Sequence, residues 1–135
     1  MKKIILLSVG LMLLCTIFSS AQTAKNEIQS TTTAKVEVYY FHLTARCITC
    51  KAVEAEAKKD LETLYGEKIR FQTLNLEDDA NKAIAEKLKI SGQTLLIVKG
   101  DKQINLTNEG FLYARNDPDK FKLIIKEKVD GLLKL

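Results

Sequence analysis

Tryptophan is absent from this 135-residue chain, and histidine and proline occur once each, as His42 and Pro118. A zinc site normally takes four ligands. With one histidine and one close pair of cysteines, Cys47 and Cys50, the chain is short of that set. One proline, six glycines and 46% hydrophobic residues describe a globular chain, not a low-complexity or disordered one. Strong charge of either sign is missing as well. The formal net charge is +4, and no basic patch interleaved with aromatics marks a nucleic-acid surface. The length suits one domain with a single core.

Long apolar runs are also scarce. The one present, Ile4 to Phe18, falls short of the roughly 20 residues that span a bilayer. It follows Lys2 and Lys3 and ends in Ser19-Ser20-Ala21, small residues suited to cleavage before Gln22. Residues 1–21 are therefore expected to be a cleaved signal peptide, making the protein exported and periplasmic, with no membrane span after cleavage. Cys15 is preceded by Leu14 where lipoprotein cleavage wants a small residue, so Cys15 is expected to leave with the signal. Removal takes away two lysines and no acids, leaving about +2. Residues 22–33, QTAKNEIQSTTT, are polar and aperiodic and are expected to form a flexible leader.

From Ala34 the patterning is that of a folded domain, residues 34–135. KVEVYYFH alternates Val36, Val38 and Tyr40 against Glu37, Tyr39 and Phe41, as a strand in a covered sheet does. A helix opens near Cys47 with Cys50, Val53, Ala57, Leu61 and Leu64 on one stripe, and Gly66 stops it. Its charged positions, Glu54, Glu56, Lys58 and Lys59 among them, are expected to form a solvated face. KIRFQTLNLE predicts a second strand, and residues 78–89 a second helix with Ala80, Ile84 and Leu88 inward. QTLLIVKG predicts a central strand, hairpinned through a tight turn to QINLT. Residues 107–116 are ambiguous and read as a short helical turn with Phe111 and Leu112 packed down. Asn116 or Asp117 caps a last helix with Pro118 at its first position and Phe121, Ile124, Ile125, Val129 and Leu132 inward.

The cysteine pair is the feature with chemistry. A disulfide across so short a loop adds little loop-closure stabilisation, so the pair is poorly placed as a staple. Position separates the two sulfurs: Cys50 opens the buried stripe, whereas Cys47 lies at the helix mouth. Unpaired N–H groups and the helix dipole there favour a thiolate over the free thiol, whose pKa is about 8.5. Arg46 and Lys51 flank the motif and add positive charge. Cys47 is thus expected to be the nucleophile and Cys50 the resolving cysteine. His42 is a candidate to steady the thiolate or carry a proton, or else a strand-end histidine satisfied by backbone. Thr44 and Thr49 are candidate hydrogen-bond donors to sulfur, with turn and cap roles as the alternative.

The order β-α-β-α-β-β-α, with Cys-x-x-Cys between the first strand and first helix, resembles the thioredoxin-like superfamily in its shortest form. That resemblance covers residues 34–135 and implies an α/β fold, a mixed four-stranded sheet covered by helices. YYFH-x-T-x-RC-x-TCK together with LTNEGFLYARNDPDKFK is similar, more narrowly, to exported ArsF-type thioredoxin-like proteins of bacterial arsenic-resistance operons, labelled as nitrophenyl compound nitroreductase subunits. Three departures from thioredoxin stand out. Arg46-Cys47-Ile48-Thr49-Cys50 replaces Trp-Cys-Gly-Pro-Cys; Tyr40 or Phe41 falls near the place of the buried aspartate; and Gln93 occupies the position of the cis-proline. A cis bond without proline costs about 2.5–4 kcal/mol, so Gly92–Gln93 is expected to be trans. The expected function is thiol–disulfide exchange without a dissociable cofactor. The expected partners are a dedicated protein disulfide or dithiol and a membrane-fed redox protein, with the chain itself a monomer. Two alternatives use the same sulfurs: capture of a soft ion such as copper(I) or arsenite by Cys47 and Cys50, or electron relay as an accessory subunit of an oxidoreductase complex.

Overall fold

The computed structural model describes residues 34–135. The expected signal peptide and leader lie outside the described residues. Four strands and four helices follow one another as β1 (Glu37–His42), α1 (Ile48–Tyr65), β2 (Arg70–Asn75), α2 (Asp79–Lys87), β3 (Thr94–Lys99), β4 (Lys102–Asn105), α3 (Thr107–Tyr113) and α4 (Pro118–Leu133). A 3-10 turn, Gly66–Lys68, joins α1 to β2.

The sheet runs β2-β1-β3-β4. β1 and β2 are parallel, with Tyr40 opposite Thr73, and α1 forms the crossover that a parallel pair requires. β3 runs antiparallel to β1, pairing Tyr40 with Leu95 and Phe41 with Thr94, and β4 completes the hairpin. Gly100, at φ 57°, supplies the left-handed residue of that hairpin's turn. This is the minimal thioredoxin-like fold expected from the sequence.

β1 is central and covered on both faces. Val38 and Tyr40 pack with Val53, Ala57 and Leu61 of α1 and with Phe121, Ile125 and Val129 of α4. Tyr39 and Phe41 face the other way, against Leu96, Val98, Ala85 and Leu88. Helices α1, α3 and α4 thus cover one face and α2 the other. The helix starts follow their capping chemistry. Asp78 accepts the Ala80 N–H at 3.0 Å, and Asp117 accepts that of Lys120 at 3.1 Å with Pro118 at the first position.

Four sequence expectations are corrected. Ala80 is exposed, and Ala85 takes the buried place on α2, packed with Leu88 against Tyr39, Phe41, Leu96 and Val98 of the sheet. Residues 107–113 form a full helix, α3, yet Phe111 and Leu112 on it are exposed. Its buried contact is made by Gly110: a Cβ there would stand 2.8 Å from Val53 Cγ1, so the glycine is what allows α3 to lie against α1. Glu54 does not belong to a solvated face, as described below. Asp60, also on α1, is only 2% exposed, and its Oδ2 has no partner among the described residues. Desolvation raises the pKa of that carboxyl, with Lys122 opposing in part.

Candidate functional site

β1 ends and β3 begins at the same edge of the sheet, and α1 starts there too. The segment 43–46 crosses from β1 to α1 and is tied to the connection after β2. The Thr44 N–H donates to Glu77 Oε2 at 2.8 Å, Asn75 Nδ2 donates to Thr44 Oγ1 at 2.9 Å, and the Leu76 N–H donates to the His42 carbonyl at 2.8 Å. The bond to Thr44 holds the Glu77 carboxyl below its ordinary value. Thr44 therefore serves the loop and not the sulfur, the turn role weighed for it from sequence.

Cys47 is the N-cap of α1, at extended φ/ψ (−71°, 166°), and its Sγ accepts the Cys50 N–H at 3.1 Å. A sulfur thus occupies the place where serine or aspartate usually satisfies an orphan helix N–H. The two cysteines are joined as a disulfide with their Cα atoms 5.1 Å apart, within the ordinary range for such a bond. Cys47 is exposed, whereas Cys50 is 5% exposed and faces the core. The sequence stripe thus leads to one accessible and one sheltered sulfur.

The remaining sequence candidates are placed unevenly around this pair. Arg46 is turned into an ion pair with Glu54, whose other oxygen accepts the Thr73 hydroxyl at 3.0 Å. Its charge is shared with a carboxylate and is not devoted to Cys47. His42 is buried, and its Nδ1–H donates to the Leu43 carbonyl at 2.9 Å; this is the backbone-satisfied histidine. Its ring lies 6.2 Å from that of Tyr40. Thr49 and Lys51 sit in the first turn of α1, and among the described residues neither makes a side-chain hydrogen bond to the sulfurs. No peptide bond among the described residues is cis, so Gly92–Gln93 is trans, as expected.

Gln93 reaches the cysteine pair through Tyr40, a residue of the core. Its Nε2 donates to the Tyr40 hydroxyl, and that hydroxyl donates to the Cys50 carbonyl at 2.7 Å. Burial raises the Tyr40 pKa; the Glu54 carboxylate adds to the shift, while Gln93 and Arg46 oppose it. The phenol accordingly remains a donor at neutral pH. Tyr40 and Glu54 are the two site residues missed from sequence. Glu54 had a legible signal, since it lies four residues after Cys50 and shares its side of the helix. Tyr40 had only its position in β1, near where the aspartate was sought.

Among the described residues, no group of three or more His, Cys, Asp and Glu is placed to hold a metal ion.

The order of strands and the Cys-x-x-Cys at the β1–α1 junction together define a thioredoxin-like fold carrying a Cys47–Cys50 disulfide. Solved structures of similar chain course include Trxlp from Edwardsiella tarda, at 17% identity and TM-score 0.49 over 70% of this chain and 84% of that one. Thioredoxin O2 from Arabidopsis thaliana, in the oxidized state, matches at 18% identity and TM-score 0.47, over 70% and 75% of the two chains. The Malassezia sympodialis thioredoxin Mala s 13 matches at 23% identity and TM-score 0.48, again over 70% and 75%. No family model matches the chain, and no curated protein does. The narrower resemblance to ArsF-type proteins thus rests on the quoted residues alone.

Proposed function

We propose that the protein is a thiol–disulfide exchange protein in which Cys47 attacks and Cys50 resolves. One observation carries the reading: an exposed sulfur caps a helix while its partner, one turn on, is buried against the core. In the reduced protein the Cys47 thiolate attacks a partner's disulfide. A Cys47–partner bond forms, and one partner thiolate leaves. Cys50 then gives up its proton and attacks Cys47 Sγ, closing the Cys47–Cys50 disulfide and releasing the second partner thiolate, which takes up a proton. Two electrons pass to the partner, and a dithiol donor restores the pair. The same steps run backwards oxidise a partner dithiol.

A protein partner suits the surroundings of Cys47, because Ile48, the next residue, is an apolar side chain 70% exposed, and Leu43 on the segment leading to Cys47 is exposed as well. Gln93 in place of the cis-proline supports a dedicated partner over a general one. Work after export is supported by Lys2-Lys3, the apolar run and the small residues that follow. Among the described residues no helix is long and apolar enough to cross a membrane.

With dithiothreitol as electron source, the protein is expected to accelerate disulfide reduction in proportion to its concentration, its dedicated partner's disulfide more than that of a small peptide. A stoichiometric uptake of copper(I) or arsenite by the two sulfurs, with no acceleration, would replace this reading with soft-ion capture.

A further inference from the structure

Tyr40 is 0% exposed, and a buried phenol O–H is expected to find a partner. This one spans ten residues to the single carbonyl that belongs to the sheltered cysteine. A carbonyl in the first turn of a helix has two lone pairs, of which the helix itself uses one. The Tyr40 hydroxyl fills the second. It thereby ties the backbone of Cys50 to the central strand of the sheet. Cys47, by contrast, is the capping residue, hydrogen-bonded only to the helix's own first-turn N–H groups, those of Cys50 and Lys51, among the described residues. Gln93 completes the chain of bonds by donating into the Tyr40 oxygen, which strengthens that oxygen's own O–H as a donor. Gln93 stands one residue before Thr94, which is registered with Phe41, so its side chain arrives from the neighbouring strand.

We propose that Tyr40, held by Gln93, is a positioning residue for Cys50: it keeps the resolving sulfur fixed against the sheet while the Cys47–Cys50 bond is open. The inference rests on the exchange reading above and deepens it. When Cys47 is bonded to a partner, closure depends on how often Cys50 stands in attacking geometry, the quantity that pre-organisation raises. A Cys50 freed from the sheet would close more slowly, and the disulfide it forms would be less favoured over the dithiol.

The test measures two quantities in the wild type, Tyr40→Phe, Gln93→Leu and the double variant. These are the lifetime of a Cys47 mixed disulfide with a small aromatic thiol, and the equilibrium of the pair in glutathione buffers. Tyr40→Phe is expected to lengthen the lifetime about tenfold and to shift the equilibrium about tenfold toward dithiol, a rise of about 30 mV for a two-electron couple. Gln93→Leu should move both quantities the same way by less, and should add nothing in the Tyr40→Phe background. Gln93→Leu carries its own prediction should Tyr40→Phe not fold. A Tyr40→Phe protein that melts lower but keeps both wild-type values would overturn the inference, leaving Tyr40 a satisfied core hydroxyl. Additive effects of the two changes would overturn the link to Gln93. A wild-type pair that never exchanges with glutathione would instead remove the exchange reading, a result distinct from either.

Discussion

Cys47→Ser is expected to reduce disulfide exchange to the uncatalysed background, whereas Cys50→Ser is expected to perform half a cycle and stop. The asymmetry follows from burial and from the helix start. A hydroxyl at position 47 cannot supply a thiolate at neutral pH, so the first attack is lost. The variant should still fold, because serine is a better helix cap than cysteine and can accept the same Cys50 N–H. With Cys50 replaced, Cys47 still reaches the partner, but nothing releases it. The mixed disulfide should therefore accumulate, visible as a mass increase that a reductant removes. Position 50 is buried, and a serine hydroxyl left unpaired there costs about 1–3 kcal/mol. Cys50→Ala serves as the matched variant and should trap the same species. Trapping on Cys50 when Cys47 is removed, at a comparable rate, would reverse the assignment.

Phe121→Ala is expected to destabilise the domain by about 3–5 kcal/mol, a large share of the 5–15 kcal/mol typical of a domain. Phe121 is fully buried in the cluster joining α1, α4, β1 and β3. Its ring also lies beneath the glycine that lets α3 close on α1: a Cβ at Gly110 would be 3.4 Å from Phe121 Cζ. Removing the ring leaves a void under both helices, and Val53, with a β-branched side chain, has little freedom to fill it. Denaturant titration should show a lower midpoint at an unchanged slope. Leu123→Ala, two residues on and exposed, should change stability by less than about 0.5 kcal/mol. Equal effects from the two would contradict the packing described.

The elements that announced themselves in the sequence did so through periodicity or capping. β1 alternated, the stripe from Cys50 to Leu61 stepped by three and four, and Asp117-Pro118 marked the start of α4. The exposed and sheltered sulfurs were legible for the same reason, since Cys47 falls just outside the stripe and Cys50 begins it. Helix α3 hid because its buried position is Gly110, a residue that carries no hydrophobic signature, while its apolar Phe111 and Leu112 face outward. Glu54 and Asp60 were misread because charge in a helix usually means solvent. Here Arg46 and Thr73 come from other segments to meet Glu54, which no local pattern records. The Gln93–Tyr40–Cys50 connection joins three elements through side chains 53 and 10 residues apart. Only the folded register brings those groups into reach.

Whether the Cys47–Cys50 bond is made and broken in use is decided by equilibrating the pair against glutathione or dithiothreitol buffers and reading it by alkylation and mass. Reversible two-electron interconversion is expected, with a midpoint between about −120 and −270 mV, the span from strong oxidant to thioredoxin-type reductant. A bond that stays closed below about −300 mV, as stable structural disulfides do, would contradict it.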